Sequence, residues 1–393
     1  MLNEKEKPDL NRISMIAKGV CGAGVIAAVL TASAAQAQPP QAHLPAPERA
    51  PRILEMRRYA HVFVIIEENH TTDQIVPSDA APSLTGFAQH YGYSWRFYAE
   101  SHPSEPNYVA MLGGDTFGIR DDDAFWCKPK MKDPACPNAG KPDYVDHTVT
   151  SPSLVAQLSA HHLSWKGYFE DIPAVASRAY RWPADDQPVK GKPAGLYAVK
   201  HNGFMNFTDV QRDPALAQKI VGFDVLARDL ASGNVPNFAH IVPNQCNDMH
   251  GLSGPNVPVD CDIRSGAKLI ARGDAVAGKL VADIMKSPFW SKPENSAIVI
   301  TFDENDTEHA GGHAAGCCGD PRDPNNPGGG WIPTIVITNH GPRGLTELTP
   351  FNHYSLLRTI EDGFGISQHL GHAGDDVHRV LPMTALFYVR NTP

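Results

Sequence analysis

A chain of 393 residues with 42% hydrophobic content has room for one large α/β domain or two ordinary ones and can bury a sizeable core, which excludes a chain disordered throughout. The formal net charge is −9, and this acidic excess argues against a nucleic-acid groove. It does not argue against a small anionic substrate, because a bound metal ion reverses the field inside a single pocket.

Residues 1–37 read as a signal peptide. Lys18 precedes "GVCGAGVIAAVLTASA", an apolar stretch too short to span a bilayer comfortably, and Ala35-Gln36-Ala37 has the small-x-small pattern of a cleavage site. The acidic residues in "EKEKPD" dilute the basic n-region and leave a retained anchor as the alternative, while Lys18-Gly19-Val20 before Cys21 makes a poor lipobox. Removal takes away four of the 34 basic and three of the 43 acidic residues, for a mature charge of −10. The expected location is periplasmic or secreted. Residues 38–55, opening with the Pro- and Ala-rich "QPPQAHLPAPERA", read as a flexible leader, and 56–393 as a single domain.

Beyond the leader, β-branched runs alternate with helical patterns. The sequence predicts strands at 61–68, 164–170, 237–243, 296–304 and 331–338, and helices at 153–162, 221–231, 266–287 and 354–365. A further helix begins near Ser104, where Tyr108, Met111 and Leu112 repeat at helical spacing and Pro106 falls in the first turn. Such alternation implies an α/β fold: a largely parallel sheet with helices on both faces. Long irregular stretches at 114–150, 180–218 and 305–330 are expected to be active-site loops rather than linkers. Trp126, Trp165 and Trp182 suit a binding cleft, and core packing explains them equally well.

After the signal segment six cysteines remain, and an even number in an exported chain suggests disulfides. Proximity favours Cys127 with Cys136 and Cys246 with Cys261. The adjacent Cys317 and Cys318 are then a strained vicinal bridge, a thiol pair or a soft-metal site.

In open α/β sheets ligands bind beyond the carboxyl ends of the strands. Three predicted strands run there into polar clusters: Glu68-Asn69-His70, "NQCNDMHG" (244–251) with Asp248 and His250, and "DENDTEH" beginning at Asp303-Glu304. Singly, each has a plain explanation as a turn, a cap or a loop histidine. Converging, the carboxylates repel one another unless a cation lies between them. A serine at a helix start is ordinarily an N-cap. Beside a metal, at the positive end of a helix dipole, Ser104 instead becomes a candidate nucleophile for phosphoryl transfer. His309 and His313 in "EHAGGHAAGCCG" either reach the same site or lie on the surface.

The elements "IIEENHTTDQI", "HPSEPNYVAMLGG", "PNQCNDMHG", "ITFDENDTEHAGGH" and "NHYSLLRTIEDGFG", in that order, resemble the bacterial phosphoesterase family of secreted acid phosphatases and phospholipases C, within the alkaline-phosphatase-like superfamily. The resemblance implies Glu68, Asn69, Ser104, Asp303 and Glu304 as metal ligands and Ser104 as the nucleophile. It further implies Asn107 as the amide holding the phosphoryl oxygens, and His250 as the group that holds the phosphate or protonates the leaving oxygen. His353 falls where two-metal members carry a ligand to a second ion, and is assigned here to substrate binding. One divalent metal is implied, zinc, iron, calcium or magnesium being open; a second is not expected, because Asp248 and His250 are too close in sequence to match the two-metal spacing. Thr71-Thr72 departs from the family's usual Ser-Phe, which implies a missing aromatic wall near the metal.

The activity expected is phosphomonoester hydrolysis through a phosphoserine. Alternatives are a phospholipase C-type phosphodiesterase and a protein that binds phosphate or a phospholipid headgroup without turnover. Small phosphate esters are the expected partners, with no nucleic acid and, for want of a basic amphipathic helix or polybasic patch, no stable membrane association.

Overall fold

The computed structural model describes residues 56–306, 328–376 and 380–388. The signal segment, the whole of the leader, His309, His313 and the Cys317-Cys318 pair lie outside the described residues. In chain order the main elements are β1 (His61–Glu67), α1 (Pro82–His90), β2 (Gly92–Tyr98), α2 (Ser104–Gly113), α3 (Leu154–Ala160), β3 (Trp165–Phe169), β4 (Ile220–Gly222) and α4 (Phe223–Ser232). There follow β5 (Phe238–Val242), α5 (Ala267–Lys286), β6 (Ser296–Phe302), β7 (Trp331–Thr338), β8 (Leu345–Glu347), β9 (Phe351–Asn352) and α6 (His353–Phe364).

Nine strands form one sheet in the order β8-β2-β7-β6-β1-β5-β3-β4, with β9 beside β2. β1 lies between β5 and β6 and is parallel to both, so all three deliver their C-termini to one edge. β7 runs antiparallel to both of its neighbours. The connection from β6 to β7 therefore starts and finishes on the same edge, where Asn305 N–H donates to Gly329 O at 2.8 Å. Gly330 is required at this return: its φ is +82° and a Cβ there would strike the Asn305 side chain.

β1, β5, β6 and β7 consist largely of β-branched and aromatic residues buried along nearly their whole length, as expected for strands covered on both faces. α1 packs on α5 and α2 on α6. The α1–α5 contact is fixed by Asp274 of α5, whose carboxylate accepts from Ser83 N at 3.0 Å and Leu84 N at 2.8 Å, two of the orphan donors at the start of α1.

The predicted helices and strands form close to their expected bounds, with two departures. The 221–231 helix starts later, at Phe223, because Ile220–Gly222 pairs with β3 as an edge strand and Gly222 is extended at the N-cap. α1 and β2 were not anticipated; the Asp274 cap on α1 comes from about 190 residues away in sequence. Disulfides join Cys127 to Cys136 and Cys246 to Cys261.

Candidate active site

Ser104 is not a cap. Pro103 holds the N-cap position, Ser104 is the first residue of α2, and its side chain makes no capping bond. Its Oγ instead donates towards Glu68 Oε2 at 3.2 Å and lies 3.5 Å from Glu304 Oε1. α2 ends at Gly114, φ +74°, where a Cβ would collide with the Leu370 carbonyl. The helix, the Ser104 hydroxyl and the carboxylates are thus held by the buried edge of the sheet rather than by a surface turn.

Glu68 and Asn69 follow β1 directly, and Asp303 and Glu304 follow β6, so adjacent parallel strands bring the two pairs together. Asn69 N–H donates to Asp303 Oδ1 at 3.0 Å. The Asn69 amide lies 2.9 Å from Glu68 Oε2 and 3.2 Å from Asp303 Oδ1. With its NH2 turned inward it donates to both carboxylates; with its carbonyl inward, three oxygens face one another, an arrangement that only a cation stabilises. Asp303 Oδ2 is buried without a hydrogen bond. Burial raises the pKa of Glu68, and Asp303 and Asp248 raise it further. Glu304 is raised by burial and by Asp303, against the opposing effect of His102. A cluster that resists ionisation this way, with an oxygen donor set, is a possible site for a hard or borderline divalent metal.

A second set, Glu68, His201 and His250, also has its ligand atoms within 4.8 Å of one another. That set shares Glu68 with the first and adds two imidazoles, whereas Glu68, Asn69, Asp303 and Glu304 offer only oxygen donors, among them the Asp303 Oδ2 buried without a hydrogen bond, and fit a hard divalent ion better.

His250 lines the pocket. Its Nδ1 is 2.7 Å from Gly251 O; a carbonyl only accepts, so Nδ1 carries the hydrogen and Nε2 is the bare acceptor facing Lys200. Asp248 stands behind, accepting from His250 N at 2.8 Å and lying 3.6 Å from His201 Nδ1. His201 is kept neutral by burial first and by Lys200 next; it stacks on Tyr108, whose hydroxyl donates to Glu68 Oε1.

Two expected residues do other work. The Asn107 carbonyl accepts from Glu100 N and Ser101 N, both at 3.0 Å, and its NH2 donates to Ser101 O at 2.8 Å. In this structure the amide braces the loop leading to Ser104 and does not face the pocket. The His353 Nε2 lies 3.0 Å from Phe302 O, and burial lowers its pKa to about 4. Neither residue lines the pocket, whereas Ser104, Asn69, Glu304 and His250 do. The tryptophans follow the core reading: Trp165 is fully buried, and Trp126 and Trp182 pack against the core.

The residues missed in the sequence are Lys200, His201, Asp122 and His102. The first three come from the irregular stretches at 114–150 and 180–218; Lys200 and His201 lie in the short turn Val199–His201. Only the length of those stretches hinted at a role. His102 pairs with Glu304 Oε2 through Nδ1 at 2.5 Å and with Asn305 Oδ1 through Nε2 at 3.0 Å. Burial opposes its charge, but Glu304 outweighs burial and its pKa is raised. The pocket that His102, Asp122 and Lys200 help to line measures about 490 Å³, and His201 stands behind it.

A family model described as "Phosphoesterase family" matches residues 77–367. The chain is 27% identical over 308 residues to the phosphatidylinositol-3-phosphatase of Mycobacterium tuberculosis, covering 78% of each. It is 26% identical over 271 residues to the phosphate-repressible acid phosphatase of Penicillium chrysogenum, covering 69% of this chain but only 51% of that protein. Among solved structures, one of a Vibrio parahaemolyticus protein in the alkaline phosphatase superfamily aligns with a TM-score of 0.49 at 10% identity, over 80% of this chain and 68% of the other. The matched family spans α1 to α6 and so takes in the helix that begins at Ser104 and the loops after β5 and β6, and on that ground the chain belongs to the Phosphoesterase family and is a phosphoric ester hydrolase.

Proposed function

We propose that this chain is an exported, metal-dependent phosphomonoesterase that works through a phosphoserine at Ser104. The observation that carries the reading is the placement of the Ser104 hydroxyl, at a helix N-terminus, 3.2 Å from a buried carboxylate on the floor of a polar pocket. Residues 56–393 are read as one catalytic domain, and Ile53–Pro393 forms one compact unit. The export reading rests on residues 1–37, and the two disulfides agree with it. No helix among the described residues is long and apolar enough to cross a membrane.

Glu68, Asn69, Asp303, Glu304 and the Ser104 oxygen would hold the divalent ion. Bound there, such an ion would lower the pKa of the hydroxyl and neutralise phosphoryl charge. In the first step the Ser104 Oγ–P bond forms and the bond from phosphorus to the leaving oxygen breaks. The hydroxyl hydrogen is directed at Glu68 Oε2, a carboxylate placed where that proton must go. The departing oxygen takes up a proton from solvent and leaves as the alcohol; the water that attacks next gives one back, and the proton held by Glu68 returns to Ser104 Oγ. Water then attacks phosphorus, and the P–Oγ bond breaks to release phosphate and restore Ser104. The start of α2 turns the positive end of its dipole towards the anion. Charge neutralisation and positioning are the bulk of what phosphoryl transfer requires.

The test assays p-nitrophenyl phosphate, bis-p-nitrophenyl phosphate, a choline phospholipid and phosphatidylinositol 3-phosphate, the last because one relative is named for that lipid. The monoesters are expected to be cleaved and the diesters spared. Ser104→Ala should be inactive, and an acid-quenched reaction should yield a peptide phosphorylated at Ser104. Chelation should abolish turnover and metal analysis should find one ion per chain. Preferential diester cleavage would make the chain a phospholipase C-type enzyme, and no release from any ester would make it a binding protein.

A further inference from the structure

A pocket built to receive a phosphate dianion is here lined by the carboxylates of Asp122, Glu304 and Asp306, and among its described lining residues Lys200 alone is a lysine or arginine. We infer that Lys200 is a catalytic residue of this chain: its ammonium, anchored by Asp122 and His250 and donating to the Ser104 oxygen, takes hold of the transferred phosphoryl group. The inference rests on Ser104 as the nucleophile.

An ammonium has three N–H donors. They meet Asp122 Oδ2 at 3.1 Å, His250 Nε2 at 3.2 Å and Ser104 Oγ at 3.4 Å. Two of these acceptors position the cation, and the third is the atom that reacts. When phosphorus is bonded to Oγ, its non-bridging oxygens lie next to Oγ and within reach of the same N–H, so the longest of the three contacts is the one the phosphoryl group replaces. The bare His250 Nε2 accepts from the ammonium, which leaves Lys200 rather than His250 presenting a donor to the reacting centre in the resting site. Asp122 is itself fixed, since its Oδ1 accepts from Glu105 N at 3.0 Å at the start of α2. Nucleophile and ammonium are thereby tied to one rigid element, which fixed electrostatic stabilisation requires.

A merely structural lysine, present to neutralise Asp122, makes different predictions. In the full chain, Lys200→Ala is expected to lower kcat/KM for p-nitrophenyl phosphate by roughly 10²–10³-fold, as for loss of one oxyanion donor. Competitive inhibition by inorganic phosphate should weaken by at least about tenfold, the factor for one charge-assisted hydrogen bond, and methylammonium added to the assay should restore part of the lost rate. Lys200→Gln, which keeps the length without the charge, should fold with a urea midpoint near wild type and show the same loss, so a folding failure of the alanine variant does not decide the matter. Wild-type activity in Lys200→Gln, or unchanged phosphate inhibition without amine rescue, would overturn the inference. If wild type releases no phosphate, or Ser104→Ala keeps its rate, the Ser104 reading fails instead. Calorimetry with inorganic phosphate on wild type and Lys200→Gln then decides: weaker binding in the variant supports the phosphoryl contact, and equal binding removes it.

Discussion

Replacing His147 by leucine removes a buried cation from beside Glu105, the second residue of α2. His147 Nδ1 lies 2.9 Å from Glu105 Oε1 and Nε2 lies 3.1 Å from Asp121 Oδ1, and the side chains of His147 and Glu105 are each 1% exposed. Burial works against the imidazolium, but the two carboxylates outweigh it and raise its pKa to about 10. The folded value lies above the unfolded one near 6.5, so this stabilisation is complete below about pH 6.5 and is lost as pH rises through about 10. At about 1.4 kcal/mol per unit the shift is worth roughly 5 kcal/mol. Glu105, pushed up to about 7 by its own burial, is partly protonated at neutral pH and returns some of that. In His147→Leu its Oε1 keeps the Asn206 amide at 2.6 Å, and the expected loss at neutral pH is about 3–5 kcal/mol, the range for stripping one partner from a buried pair. Urea unfolding of both proteins between about pH 7.5 and 9.5 should show wild type losing up to about 1.4 kcal/mol per unit and the gap closing by less than that, because Glu105 without His147 is raised further and destabilises the variant as it ionises. A deficit under about 1 kcal/mol, as for a surface pair, or one that does not change with pH, would refute the reasoning.

Where the sequence can be read and where it cannot follows from the range of the forces involved. β1, β5 and β6 were legible because burial on both faces leaves an apolar run in the chain itself, and parallel pairing then assigns Glu68, Asn69, Asp303 and Glu304 to one edge without further information. The reversal of β7 was not, since strand direction depends on where the β6–β7 connection returns, and that is fixed by contacts such as Asn305 with Gly329. Lys200 and His201 sit in a turn with no periodic pattern, brought to the site by the pairing of Arg181–Trp182 with Tyr197–Ala198. Asn107 and His353 show a different limit. A resemblance can assign a residue to a position in the chain, but whether its polar atoms face substrate or the carbonyls of its own loop depends on backbone geometry that a residue type does not encode.

Two further variants test these assignments. Replacing Cys246 and Cys261 by serine opens a 15-residue loop and should lower stability by about 3 kcal/mol; since the loop between them carries His250, KM for p-nitrophenyl phosphate should rise as well. An unchanged urea midpoint in the double variant would show that the bridge does not constrain the chain. Asn107→Ala separates the bracing role from the substrate-binding role that the family resemblance implies. The variant leaves the N–H groups of Glu100 and Ser101 without their acceptor in a buried loop, at about 1–3 kcal/mol each, so it should lose about 2–4 kcal/mol in urea unfolding and lose kcat through a displaced Ser104. Inhibition by inorganic phosphate should hold near the wild-type level, because the amide points away from the pocket. Were the amide a phosphoryl ligand instead, the order would reverse: stability would be kept and phosphate inhibition would weaken by about tenfold or more. The two readings move different observables, and measuring both on one variant decides between them.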